Sequence, residues 1–344
     1  MAVIDPERDV ALLPYSSGTS GMPKGVMLTH LNLAASSGQL AATGWVSHDS
    51  VVMTLRLFSN SIRLVFAQGA TAVAQTRLEA DETLAMLRAH HVSHLMVRPT
   101  YLRQLARRAL GSPQAVPTLR VIETGGEPLP PSTASLAERT FNCPVVQAYH
   151  LTETGGSANR VPFGEVNTTS VGCPVSDTEE RIVVPDTDVD VETGEVGEVL
   201  IRGPQVAVGY WNQMDATAAT FGPDGWMRTG DLARQDARGH LVIVGRVKEM
   251  LKVGGLPVAP AEVEAILLEH PAISDAVVVP MRSSRYGEVP RAYVVVRPGH
   301  EVSSAALIAH AADRLAEHKR LRRVDLVSEL PRGPGGKVQR SGLR

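Results

Sequence analysis

Between residue 10 and about residue 165, short apolar runs alternate with stretches of helical period, which limits the chain to few architectures. Val51-Val52-Met53, Ala70 to Val73, Val92 to Val97, Leu119 to Ile122 and Val145-Val146 read as strands. Glu82 to His90 sets Leu84 and Leu87 on one face, and Tyr101 to Leu110 does the same with Leu102, Leu105 and Ala106. This alternation predicts an α/β layer with a mainly parallel sheet, whose ligands sit beyond the carboxyl ends of the strands. Thr124-Gly125-Gly126-Glu127 and Tyr149-His150-Leu151-Thr152-Glu153 both follow strands in that way. So does Tyr15-Ser16-Ser17-Gly18-Thr19-Ser20-Gly21-Met22-Pro23-Lys24-Gly25, after Val10 to Leu13, read as a buried strand, and before a helix expected from Leu31. Its glycines allow close backbone approach, its hydroxyls and amides donate, and its lysine adds charge, which suits a polyphosphate. The Walker ending is absent, and alone the loop reads equally well as a Gly/Ser connector.

From 166 to 247 the helical period gives way to short runs, Glu180 to Val184, Gly197 to Ile201 and Leu241 to Val244, separated by turns such as Gly222-Pro223-Asp224-Gly225. Beyond 248 the pattern becomes α+β. Pro260 opens a helix to Glu269, Ala276 to Val279 and Ala292 to Val296 are strands, and Ser304 to Lys319 reads as one helix. The fold class expected is therefore α/β: a large domain with a mainly parallel sheet plus a β-barrel subdomain, then a small mobile α+β C-terminal domain. The divisions are 1–165, 166–247 and 248–344.

A net charge of -2 over 344 residues gives no electrostatic case for nucleic acid or an anionic membrane as partner. No run has membrane-spanning length, and the N-terminus shows no apolar signal core. Cys143 and Cys173 lack metal-ligand spacing, so free thiols and a cytoplasmic location are expected.

Five motifs in this order resemble those of the adenylate-forming superfamily: acyl-CoA synthetases, adenylation domains of nonribosomal peptide synthetases, and beetle luciferases. They are the Tyr15–Gly25 loop, Gly125 to Leu129, Tyr149 to Glu153, Thr229-Gly230-Asp231 with Gly245 to Gly255, and Pro331 to Arg340. The resemblance implies ATP, Mg2+ and a small carboxylic acid as reactants, with coenzyme A or a carrier-protein phosphopantetheine as thiol acceptor. It places Ser16, Ser17, Gly18, Thr19, Ser20 and Lys24 on the phosphates, and Gly126, Glu127 and Tyr149 at the adenine. Asp231 falls at the ribose, Arg246 at the ribose or phosphate, Thr152 at the α-phosphate, and Glu153 at the metal, where a carboxylate is a natural hard ligand. Lys337 would be catalytic, because a carboxylate attacking a phosphate brings two anions together and a cation lowers that barrier. Lys248 falls at the hinge, and Lys252, Gly254 and Gly255 face the thiol step. Read without context, Glu153 is a helix-start acid, Asp231 a turn residue and Lys337 a solvated tail lysine.

The chain departs from the family pattern at several points. About a dozen residues precede the phosphate loop, where the family carries a large segment, so rearranged local packing, a homo-oligomer contact or a partner chain is expected over the strand at Val10 to Leu13. Ser59 stands where histidine follows phenylalanine, and His150 replaces a glycine. With Arg98 and the nearby Arg63, these residues are candidates for the acid pocket, and a dicarboxylic substrate is one expectation. Three activities follow: an acid–thiol ligase, an amide-forming ligase with an amine acceptor, and a catalytically impaired or split nucleotide-binding homologue.

Overall fold

A computed structural model describes residues 3–16, 23–54, 60–75, 77–111, 116–332 and 338–343. The chain divides into two compact units, Met1–Thr229 with Ala233–Ile243, and Gly230–Leu232 with Val244–Arg344.

The first unit is built on a seven-stranded sheet. Thr71–Ala74, Val51–Thr54, His94–Val97, Val121–Gly125 and Val145–Leu151 run parallel in that spatial order. Gly156–Arg160 and Cys173–Pro174 then extend the sheet antiparallel. Ala80–Ala89, Pro99–Ala109 and Pro131–Phe141 cover one face, where Leu84, Leu87, Leu102, Leu105 and Ala137 pack on Met53, Leu95 and Ile122. The other face packs Leu40 from His30–Ala42, and Leu64 and Val65 from Asn60–Ala67, on Val52 and Met96. Burial on both faces is what a parallel sheet requires. Two of the helices begin with proline at the first turn, where its missing N–H costs nothing.

The segment around the phosphate loop differs from the sequence expectation. Lys24–Thr29 is a strand, and it pairs antiparallel with Tyr15–Ser16, so the flanks of the loop form a hairpin with Tyr15 opposite Gly25 and Ser16 opposite Lys24. The helix expected from Leu31 starts at His30, after that strand. Val26 and Leu28 are fully buried, and this apolar run, not Val10–Leu12, is the core strand of the motif. Val10–Leu12 pairs antiparallel on its edge and lies open, with Val10 41% and Leu12 40% exposed. The buried strand expected at Val10 to Leu13 is corrected accordingly.

Within the first unit, Glu179–Val183, Gly197–Arg202, Met227–Gln235 and Leu241–Arg246 form a four-stranded sheet in that order, the last two strands running on into the second unit. The second unit packs Pro260–Glu269 and Ser304–Ala312 on a sheet centred on the hairpin Ile273–Ser283 and Gly287–Val296. Arg323–Val327 adds to it in parallel. The single helix expected over Ser304 to Lys319 stops at Ala312, and a 3-10 turn follows at Glu317–Lys319. Burial of Leu315 keeps the apolar period while the backbone leaves the helix, and Lys319 turns to Glu262 at 2.8 Å. No helix among the described residues is long and apolar enough to cross a membrane.

One side chain ties the loop-bearing strand to the rest of the first unit. Asn32 and Thr29 form a capping box at the start of His30–Ala42, with reciprocal bonds of 3.2 and 2.9 Å. The Asn32 amide also donates to the carbonyls of Pro204 and Val206, at 2.8 and 2.9 Å. Asn32→Ala should therefore lower stability by about 2–4 kcal/mol, from a Thr29 N–H left without its acceptor and two abandoned carbonyls, read as a shifted urea midpoint.

Candidate functional site

The turn Thr152–Thr154 follows the strand Val145–Leu151 and carries Thr152 and Glu153. Its Glu153 carbonyl accepts from Ala207 N at 2.8 Å, and its carboxylate Oε1 accepts from the Tyr210 hydroxyl at 3.0 Å. Lys24 Nζ lies 4.5 Å from the centre of the Tyr210 ring. Burial first, then the facing Glu153 carboxylate, raise the Tyr210 phenol above its ordinary value, so it stays a donor. The fold thus joins Lys24, at the end of the phosphate loop, to Glu153, more than a hundred residues later in the sequence. Ser16 lies on the paired hairpin strand beside Lys24. Ser17, Gly18, Thr19 and Ser20 lie outside the described residues, as do Ser59 and Lys337.

The second expected loop follows the strand Val121–Gly125. Gly126 takes φ +78°, a left-handed conformation that glycine adopts without strain. Glu127 accepts from Thr100 Oγ1 at 2.6 Å and pairs with Arg98 at 3.8 Å. Arg63 donates to the Gly155 carbonyl. Both arginines weighed for a dicarboxylic pocket thus have protein partners. Tyr149 is buried, and its neighbour His150 lies over Gly125.

His150 belongs to a charged cluster. Glu123 and Arg160 form a buried ion pair that reaches across the strand Val145–Leu151, which lies between their own strands. His150 Nε2 is 3.5 Å from Glu123 Oε1, and both ring nitrogens lie 3.4 Å from Ser157 Oγ. Burial pushes the imidazole down to about 4 despite the nearby carboxylate, so it is neutral at physiological pH. Arg160, lowered by burial to about 10, keeps its charge. The His150 side chain is nonetheless 29% exposed, so it sits deep in the fold yet presents an edge to solvent.

In the second unit, Asp231 is buried and pairs with Arg246 Nε at 2.8 Å. A carboxylate oriented by a guanidinium is a suitable acceptor for vicinal hydroxyls. Lys248 is exposed in the turn Val247–Glu249. Lys252 is exposed on Leu251–Val253, and Gly254 and Gly255, both at positive φ, turn this strand into Leu256–Val258.

A mainly parallel sheet with such loops at its strand ends, and a separate α+β unit after it, defines an α/β protein of the class that binds ligands beyond the carboxyl ends of its strands. Residues 1–211 match the AMP-binding enzyme family and residues 262–337 match the AMP-binding enzyme C-terminal domain. The chain belongs to the AMP-binding enzyme family, within the adenylate-forming superfamily. It is 36% identical to 4-coumarate–CoA ligase 1 of Solanum tuberosum, over 98% of this chain and 65% of that protein. The chain thus spans just under two thirds of the curated relatives it matches. Among solved structures, ATP-bound MatB from Rhodopseudomonas palustris superposes with a TM-score of 0.91 at 28% identity, over 99% of this chain and 69% of that one. The o-succinylbenzoate CoA synthetase of Bacillus subtilis, in complex with its acyl-adenylate intermediate, gives 0.87 at 31% identity, over 98% and 69%. The same synthetase is also known with ATP and a magnesium ion.

Sequence reasoning missed Tyr210, which carries no local signal, and also missed the buried charges. Glu123 stands in an apolar strand, and a lone acid there already calls for a basic partner. A further missed pair is Asn159 and Glu180. Asn159 lies opposite Tyr149 in the antiparallel pair, and its amide donates to Glu180 Oε2 at 2.7 Å. The remaining oxygens, Asn159 Oδ1 and Glu180 Oε1, are buried without a hydrogen-bond partner among the described residues. Burial raises the Glu180 carboxyl from 4.5 to about 7, against the lowering effect of the Asn159 hydrogen bond. The folded chain then holds more protons than the unfolded one between these values, so this group's contribution to stability falls as pH rises from about 4.5 to about 7. Glu180→Gln should remove that slope. Its gain over wild type should be absent near pH 4.5 and reach roughly 1–3 kcal/mol above pH 7, measured by urea unfolding across pH.

Proposed function

We propose that the chain activates a small carboxylic acid with ATP as an acyl-adenylate, releases pyrophosphate, and transfers the acyl group to the thiol of coenzyme A. The observation that carries this reading is the link from Lys24 through Tyr210 to Glu153, within the AMP-binding fold. A carboxylate oxygen of the acid bonds to the α-phosphorus as the bond to the bridging β-oxygen breaks. The thiol sulfur then adds to the acyl carbonyl, its proton departs to solvent, and AMP leaves. Glu153 fits Mg2+ as a hard anionic ligand with a fixed orientation, and the ion would neutralise phosphate charge. Lys24 draws the phosphates, Asp231 with Arg246 takes the ribose, and Lys337 supplies the cation for adenylation. Lys248 serves as the pivot between half-reactions, with Lys252, Gly254 and Gly255 on the thiol side.

A carrier-protein phosphopantetheine offers the same sulfur chemistry, and both acceptors fit a cytoplasmic enzyme. The exposed strand Val10–Leu12 favours a second reading, in which a partner polypeptide or a second copy must cover that edge before turnover. ATP–pyrophosphate exchange over a panel of acids, including coumarate, anthranilate and o-succinylbenzoate, tests the first step, with coenzyme A, hydroxylamine and amines supplied separately for the second. One acid should support exchange, and Lys337→Ala should lower it by about 100-fold or more. ATP binding without exchange on any acid would instead identify a nucleotide-binding homologue.

A further inference from the structure

Tyr210 lies outside the five motifs, yet it touches two of them. The short strand Gly209–Tyr210 pairs antiparallel with the strand that leaves the phosphate loop, Gly209 opposite Met27 and Tyr210 opposite Val26. Tyr210 is only 6% exposed. Two further contacts hold it, and a third anchors its neighbour. Its backbone N–H donates to Thr217 Oγ1 at 2.9 Å, Phe221 meets its ring edge-on at 5.3 Å, and Trp211 N donates to the Gly25 carbonyl at 2.8 Å. From this fixed seat the hydroxyl reaches Glu153 Oε1, and the ring face meets the Lys24 ammonium. Ala207, in the same segment, bonds the backbone carbonyl of Glu153. Residues 207–210 therefore grip the glutamate at both ends.

We propose that Tyr210 is the positioning residue for metal-bound nucleotide: its hydroxyl holds one Glu153 oxygen so that Oε2 meets the cation, while its ring holds Lys24 toward the same phosphates. The inference rests on the reading above that Glu153 takes Mg2+. A charge-assisted hydrogen bond to one carboxylate oxygen removes the rotation that would otherwise be lost on binding. An ammonium held over a buried aromatic face keeps its charge available to an anion. A tyrosine that only filled the core would support stability and treat all forms of ATP alike.

The test is Tyr210→Phe, which keeps the ring and removes only the hydroxyl. Isothermal titration compares ATP with and without Mg2+, and Mn2+ paramagnetic resonance in the presence of ATP reads the metal directly. Metal-free ATP should bind within about twofold of wild type, while Mg·ATP and Mn2+ affinities should fall about tenfold, the usual loss for a hydrogen bond to a charged group. On a Glu153→Gln background the same change should have no further effect on metal affinity. Tyr210→Leu, which also removes the ring, should weaken metal-free ATP as well. Equal losses for both forms of ATP in Tyr210→Phe, or unchanged Mg·ATP affinity, would overturn the positioning role and leave the ligase reading intact. A wild-type chain that binds ATP equally with and without Mg2+ would overturn both.

Discussion

The ion pair between Glu123 and Arg160 is the constraint on which the first unit turns. Two charges buried in a sheet are costly to desolvate, and leaving either one alone costs more than the pair contributes. The strands that carry them flank Val145–Leu151, so the pair spans the place where the sheet changes from parallel to antiparallel. Only the observed register brings Arg160 to Glu123. A slip of one residue would turn a charge into the apolar layer on the opposite face. The pair stabilises one register against its alternatives, and His150 Nε2 lies 3.5 Å from the same carboxylate.

The groups expected to meet phosphate and metal come from three distant parts of the chain. Lys24 leaves the loop on a strand, Glu153 sits in a one-turn helix after the fifth parallel strand, and Tyr210 arrives on a two-residue strand. Antiparallel pairing and one hydrogen bond assemble them, while the parallel layer supplies the rigid base. Function carried on short connections above a packed sheet is the usual division of labour in α/β proteins.

The alternation of apolar runs and helical faces was enough to read the parallel layer, because burial on both sides makes such strands conspicuous. Motif order was enough to identify the family. What escaped were features decided by partners far away in sequence. Val10–Leu12 looks apolar enough for the core but lies at an edge, whereas the run after Lys24, overlooked beside its glycines, is fully buried. Leu315 follows the helical period beyond Ala312 although the backbone has already turned. Tyr210 gains its importance from contacts 57 and 186 residues away, as 210 − 153 and 210 − 24 show, and no local pattern encodes them. Asp231 and Arg246 stood out by their motifs, but the ion pair between them is visible only in the fold.

The close of the strand Val121–Gly125 restricts how this chain could diversify. A β-carbon on Gly125 would stand 2.5 Å from the Ala148 carbonyl oxygen and 2.9 Å from His150 Cδ2. Trimming the imidazole relieves the second clash but not the first, because backbone cannot withdraw. Of these two neighbours, one is frozen and one is editable. Evolution, or a protein engineer, can revise this end of the strand through residue 150, which makes drift there informative and leaves position 125 silent.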